Sequence, residues 1–113
     1  MLRNRSGLAV VTLFLLSSPA GADDLDVLQG KFAFNWHSNP GRQKCVKVAG
    51  PLLTSFKSTG YRCDLTAQSN TSSGASARTC TEVKGQNPKE YLVFDTLRAC
   101  ERERKTQESN GEG

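Results

Sequence analysis

The sequence predicts an α+β domain, a small antiparallel sheet with a short helix after Pro51 and a longer C-terminal helix, stapled by two disulfides. Three observations carry that prediction. Short runs rich in aromatic and β-branched residues are separated by turns containing Gly, Pro and Asn, the pattern of strands in a small sheet. Two other segments, one led by Pro51 and one following Asp95, carry helix-start signals instead. Four cysteines, Cys45, Cys63, Cys80 and Cys100, stand at wide and nearly even spacing, and an even number in an exported chain reads as a disulfide framework.

Export is read from the N-terminus. Arg3 and Arg5 precede an apolar run over residues 8–16, and Ala20-Gly21-Ala22 supplies the small-x-small cleavage pattern. The run covers about half of the ~20 residues a bilayer core requires. Residues 1–22 are therefore expected to be a secretory signal peptide, with no membrane anchor after cleavage and a secreted or periplasmic product. Cleavage after Ala22 leaves a single disulfide-stabilised domain over 23–107 and a polar, disordered tail over 108–113. Without Arg3 and Arg5, the 15 Lys and Arg fall to 13 against 11 Asp and Glu, so the net charge drops from +4 to +2. So balanced a surface gives no electrostatic case for nucleic acid. A domain this small buries a modest share of its surface and often depends on covalent help.

In chain order, Asp23, Asp24 and Asp26 open an acidic leader expected to fray, with Leu25 and Leu28 able to form a short helical turn that Gly30 ends. Phe32, Phe34 and Trp36 alternate with Ala33 and Asn35, which predicts a half-buried strand. A turn at 38–41 follows, and Cys45, Val46 and Val48 suggest a second strand. Gly50-Pro51 opens the short helix, whose apolar face is Leu52, Leu53 and Phe56, and Gly60 is expected to end it in the left-handed conformation. Residues 61–67 read as a strand with Tyr61, Cys63 and Leu65 on one face, 68–76 as a solvated loop, and 78–83 as a strand in a hairpin with the preceding one. Tyr91, Leu92, Val93 and Phe94 are four successive apolar residues, which suits a strand buried on both faces. A rival capping signal at Asn87-Pro88-Lys89-Glu90 allows one helix over 88–107 instead. Either way the segment after Asp95 is helical, with Asp95 as N-cap, Leu97 and Cys100 facing inward, and Glu101 paired with Lys105.

The cysteines are read as braces. Structural zinc sites bring cysteines two to four positions apart and redox sites favour C-x-x-C, whereas the closest two here, Cys63 and Cys80, lie far beyond either spacing. The favoured pairs are Cys45 with Cys63 and Cys80 with Cys100, each closing a loop of roughly 20 residues worth about 3 kcal/mol. The alternative is Cys63 with Cys80 and Cys45 with Cys100. No catalytic, cofactor or metal site is predicted. His37, the sole histidine, is read as a surface residue. Asp64, Glu82, Glu90 and Asp95 offer carboxylate pairs only as any acidic set would. Phe32, Phe34 and Trp36, a candidate stacking platform for bases or sugars, are read as core. The basic stretch over 98–105 is read as a solvated face because Glu101 and Glu103 interleave with its cations. Asn70-Thr71-Ser72 fits the N-glycosylation pattern.

Tyr61-Arg62-Cys63-Asp64, followed by Ser73-Gly74-Ala75, is similar to short stretches in small periplasmic inhibitors of C-type lysozyme. That resemblance implies a disulfide-stabilised all-β domain with an inhibitory loop, although the loop tyrosine of the pattern is missing here and a C-terminal helix is not part of it. The function expected from the whole sequence is a non-catalytic binding or accessory domain with a protein partner, its candidate partner surface formed by Ser72, Ser73, Gly74 and Trp36. The alternatives are an inhibitor of a secreted hydrolase, acting through the 68–76 loop, or a small secreted hydrolase.

Overall fold

The computed structural model describes Gly21 and residues 23–111. The predicted signal peptide, Gly21 aside, lies outside the described residues, as do the last two positions of the predicted tail. Five strands form one antiparallel sheet: β1 (Phe32–Asn35), β2 (Val46–Lys47), β3 (Tyr61–Gln68), β4 (Ala77–Glu82) and β5 (Glu90–Phe94). Their order in space is β2-β1-β5-β4-β3, so β1 and β5, distant in sequence, pair at the centre. The helices are α1 (Gly50–Lys57) and α2 (Leu97–Ser109). The predicted α+β fold is the one observed, and its two helices depart from the all-β domain that the lysozyme-inhibitor resemblance implies.

Alternation along the strands divides the interior into two cores. On the α1 face, Ala33, Cys63, Cys80 and Val93 pack with Leu53 and Phe56 of α1 and with Val48. On the α2 face, Phe34, Ala77, Leu92 and Phe94 pack with Cys100, flanked by Phe32, Trp36, Cys45 and Ala99. The run at 91–94 is thus buried on both sides of β5. The strand reading prevails over the capping signal at 87–90 because a helix could not send Tyr91 and Val93 to one core and Leu92 and Phe94 to another.

The acidic leader is not frayed. Asp23–Leu28 forms a short 3-10 helix that buries Leu25 and Leu28 in the α1-side core, and the Asp26 carboxylate holds the Lys57 ammonium of α1. Two buried leucines outweigh the solvation of the acidic residues around them.

The favoured disulfide pairing is corrected: the bonds are Cys63–Cys80 and Cys45–Cys100. Register explains the first, since Cys63 and Cys80 sit directly opposite each other on β3 and β4 with Cα atoms 4.0 Å apart. Facing explains the second. Cys45 lies against the α2-side core and Cys63 within the α1-side core, so a bond between them would have to cross the sheet.

Three helix-end expectations also change. Gly60 does not take a left-handed backbone; α1 ends one turn earlier, where the Ser58 hydroxyl donates to the Ser55 carbonyl at 2.6 Å. The N-cap of α2 is Thr96, whose Oγ1 accepts from the Ala99 N–H at 3.1 Å. Asp95 is drawn away to Lys31 Nζ (2.9 Å) and an Arg78 guanidinium nitrogen (3.1 Å), which together hold its carboxyl below the usual range. Leu97 is 46% exposed, and the inward face of α2 is Cys100, Glu103 and Gln107.

Candidate functional site

Among the described residues, polar side chains gather at three of the surface depressions. One, of about 380 Å³, runs along α2 between Arg98, Glu101, Arg102 and Lys105. Glu103, expected to interleave with these cations, is buried, and Glu101 pairs with Arg104 at 2.9 Å rather than with Lys105. A second, of about 530 Å³, lies between the end of β1 and the loop before β5, lined by Asn35, His37, Ser38 and residues 86–89. Both are walled by exposed or half-exposed side chains. The third, of about 300 Å³, differs because Leu92, Glu103 and Gln107 in its lining are buried.

The sheet supplies the floor of this third cleft. Thr79 and Leu92 face each other across β4 and β5, Glu90 lies two residues along β5 on the same face, and Trp36 stands just past β1. Leu92 continues the apolar row of Phe34 and Phe94, while Thr79 and Glu90 make the rest of the floor polar. Helix periodicity supplies one wall, because Glu103 and Gln107 are four apart and project from the same side. Residues 70–72 supply the other.

Glu103 fastens that loop to the helix. Its carboxylate accepts the Ser72 N–H (3.1 Å), the Ser73 N–H (2.8 Å), and the Gln107 Nε2 amide (2.7 Å), with the Ser73 hydroxyl as a further donor. Burial alone would push the Glu103 carboxyl up, but these donors outweigh it and hold the group below the usual carboxylate range. The loop is also closed on itself by Thr71 Oγ1 donating to the Ala75 carbonyl at 2.6 Å, and Gly74 turns it with φ of +80°, a backbone that favours glycine. Two residues of the cleft lining each carry an unmet atom: Trp36 Nε1 and Gln107 Oε1 are buried polar atoms with no hydrogen-bond partner among the described residues.

His37 is exposed but fixed. Its Nδ1 lies 2.9 Å from the Pro88 carbonyl and its Nε2 3.1 Å from Glu90 Oε1. Both ring nitrogens thus face oxygen atoms of fixed partners. Trp36 packs edge-on against the imidazole at 4.5 Å. The remaining carboxylates of the predicted set are dispersed. Asp64 accepts the Thr66 N–H, Glu82 accepts the Lys89 N–H, and Asp95 holds Lys31 and Arg78; Glu90 alone of the four reaches the cleft, where its Oε2 also accepts from the Thr81 hydroxyl at 3.2 Å.

Of the predicted partner surface, Trp36 and Ser72 line the cleft, Ser73 stands behind it on Glu103, and Gly74 sits at the exposed loop tip. Phe34 is core as expected, whereas Trp36 is half core and half cleft wall. Sequence reasoning missed Glu103, Gln107 and Thr79 as cleft residues and named Glu90 only within a carboxylate set. One signal for the first two was present: Glu103 and Gln107 share a helical face with Cys100, and a cysteine in a disulfide marks that face as inward. Asn70 of the glycosylation pattern is exposed on the rim of the same cleft.

Among the described residues no cluster of three or more His, Cys, Asp or Glu is arranged to hold a metal ion, and no helix is long and apolar enough to cross a membrane. All four cysteines are bonded, which fits an oxidising, extracellular setting. No protein-family model, curated protein or solved structure matches the chain.

Proposed function

We propose that this chain is an exported, non-catalytic binding domain whose ligand occupies the cleft between Trp36, the 70–72 loop and α2. The observation that carries the reading is the unmet donor of Trp36 and the unmet acceptor of Gln107 in the lining of one cleft. Buried polar groups are nearly always paired, so two orphans on residues that line one cleft point to a visiting group. Export rests on the layout of residues 1–22 and agrees with the two disulfides. The non-catalytic part rests on the scatter of the candidate acid–base groups, since Asp64, Glu82 and Asp95 are each held by their own partners away from the cleft.

Trp36 is the only tryptophan, so the oxidised, ¹⁵N-labelled domain has a single indole N–H resonance. Screened against a collection of small polar fragments, binding fragments are expected to shift that resonance together with the Gln107 side-chain amide. Hits that map only to the Arg98, Arg102 and Lys105 face would refute the cleft as the site.

A second reading, an inhibitor of a secreted hydrolase with a protein partner, draws on one observation. The 69–76 loop is tied to Glu103 and closed by its own Thr71 to Ala75 bond, and a pre-ordered loop loses little entropy on docking. Under this reading Ser72 and Gly74, both exposed, contact the enzyme, and a G74W variant that keeps its fold loses inhibition.

A further inference from the structure

We infer that the cleft takes a neutral sugar unit, a class of ligand that rests on the binding-domain reading above. The chemistry of the lining narrows the choice stepwise. The Gln107 amide cannot be turned over to hide its oxygen, because Nε2 donates to Glu103 Oε2 at 2.7 Å and the reversed amide would set two oxygens against each other. Gln107 Oε1 therefore asks for a donor, while Trp36 Nε1–H asks for an acceptor. Glu103 has no role left in recognition beyond holding the wall, since its oxygens already serve two backbone amides and Gln107. Glu90 has one partner on each oxygen, His37 and Thr81, and keeps lone pairs for another O–H or N–H.

Anions are disfavoured. The lining contains two glutamates and no Lys or Arg, so a phosphate, sulfate or uronate would meet like charge with no counter-ion. An ammonium or guanidinium group would satisfy Gln107 and Glu90 but has no acceptor for the Trp36 N–H. A hydroxyl both donates and accepts, and a sugar ring presents several of them around an apolar C–H face that suits the half-buried indole. At about 300 Å³ the cleft lies at the small end of ligand sites, in proportion to one ring of a longer glycan whose remainder leaves over the Asn70 rim. Both unmet atoms are closed to water on residues that line the cleft, so a sugar pairs with them only as the Trp36 and Gln107 side chains rotate toward it. Those two side chains are accordingly the reporters.

The experiment titrates the oxidised, ¹⁵N-labelled full domain with chitotriose and cellotriose as neutral probes, with a triglucuronate as anionic probe, and with lysine amide as cationic probe. The expected result is saturable movement of the Trp36 indole and Gln107 amide resonances with at least one neutral trisaccharide and none with the triglucuronate. A W36F variant, which keeps an aromatic ring and removes the N–H, should bind that sugar about tenfold more weakly, the loss expected for one unmet hydrogen bond, while its other backbone resonances stay in place. Saturable movement with lysine amide alone, or with the charged trisaccharide, overturns the sugar assignment and leaves the cleft as the binding site. Failure of all four probes to move either resonance, when fragments do move them, also overturns the sugar assignment alone. Failure of probes and fragments together overturns both, and leaves the two orphans to trapped water.

Discussion

At the scale of single residues, Glu103 is the side chain on which the loop and the helix both depend. A charged residue is rarely buried without partners, and here the partners are backbone N–H groups of Ser72 and Ser73 and the Gln107 amide. Replacing Glu103 by Gln turns one carboxylate oxygen into an NH₂ that faces a backbone donor, and the variant should lose about 2 kcal/mol of stability in urea unfolding. The pH dependence has a definite sign. Because folding lowers the Glu103 pKa from its ordinary 4.5, its stabilisation is fully present above that value and is lost as pH falls through the lower, folded-state value. Asp95, also lowered by Lys31 and Arg78, acts in the same direction. The slope of stability against pH below 4.5 should therefore be shallower in E103Q than in the parent, with the remainder due to Asp95; equal slopes would contradict the Glu103 account. His37 makes a smaller claim. Its alanine variant frees the 83–89 loop, which should exchange its amide hydrogens faster while global stability changes by at most about 1 kcal/mol.

At the scale of elements, the start of α2 shows how neighbours reassign a local role. Asp95 and Thr96 are both good N-cap residues, and nothing within the chain segment ranks one above the other. Lys31 at the start of β1 and Arg78 on β4 recruit Asp95, so the cap falls to Thr96. Thr96→Ala should accordingly cost about 1 kcal/mol, and Asp95→Ala less than that, because its carboxylate is exposed and exposed ion pairs contribute little. Guanidinium denaturation of the two variants decides the matter, and the reverse ranking would return the cap to Asp95. The same helix shows why periodicity alone misplaced its inward face: Leu97 was expected inside on hydrophobicity, yet the face is set by where Cys100 must lie to meet Cys45 at a Cα separation of 6.1 Å.

At the scale of the whole molecule, the two disulfides brace different things. Cys63–Cys80 joins adjacent strands that are already hydrogen-bonded, across a separation of 17 residues. Cys45–Cys100 ties the approach to the edge strand β2 to the helix that walls the cleft, across 55 residues. Chain entropy alone gives about 3 and about 4 kcal/mol respectively, so removing Cys45–Cys100 by paired alanines should lower the midpoint of unfolding more. It should also loosen α2 against the sheet, seen as broadening of the Trp36 indole resonance. Proteolysis without reduction, followed by peptide mass measurement, checks the connectivity directly, and a peptide joining Cys45 to Cys63 would refute it.

The strands, the two helices and the disulfide-braced α+β class were legible in the sequence, because alternation, Pro51 and the cysteine count are properties of neighbouring residues or of composition. Strand order, disulfide partners and the cleft were not, because each depends on which face of the sheet a residue occupies once distant strands pair. Cys45 and Cys63 look like partners along the chain and lie on opposite faces in space. Glu103 and Gln107 look like members of a solvated helix, and only the pairing of β5 between β1 and β4 places that helix so that its polar flank meets Trp36. The local code of this protein is short-range and set its elements; the site arises from long-range burial, which no stretch of its sequence encodes alone.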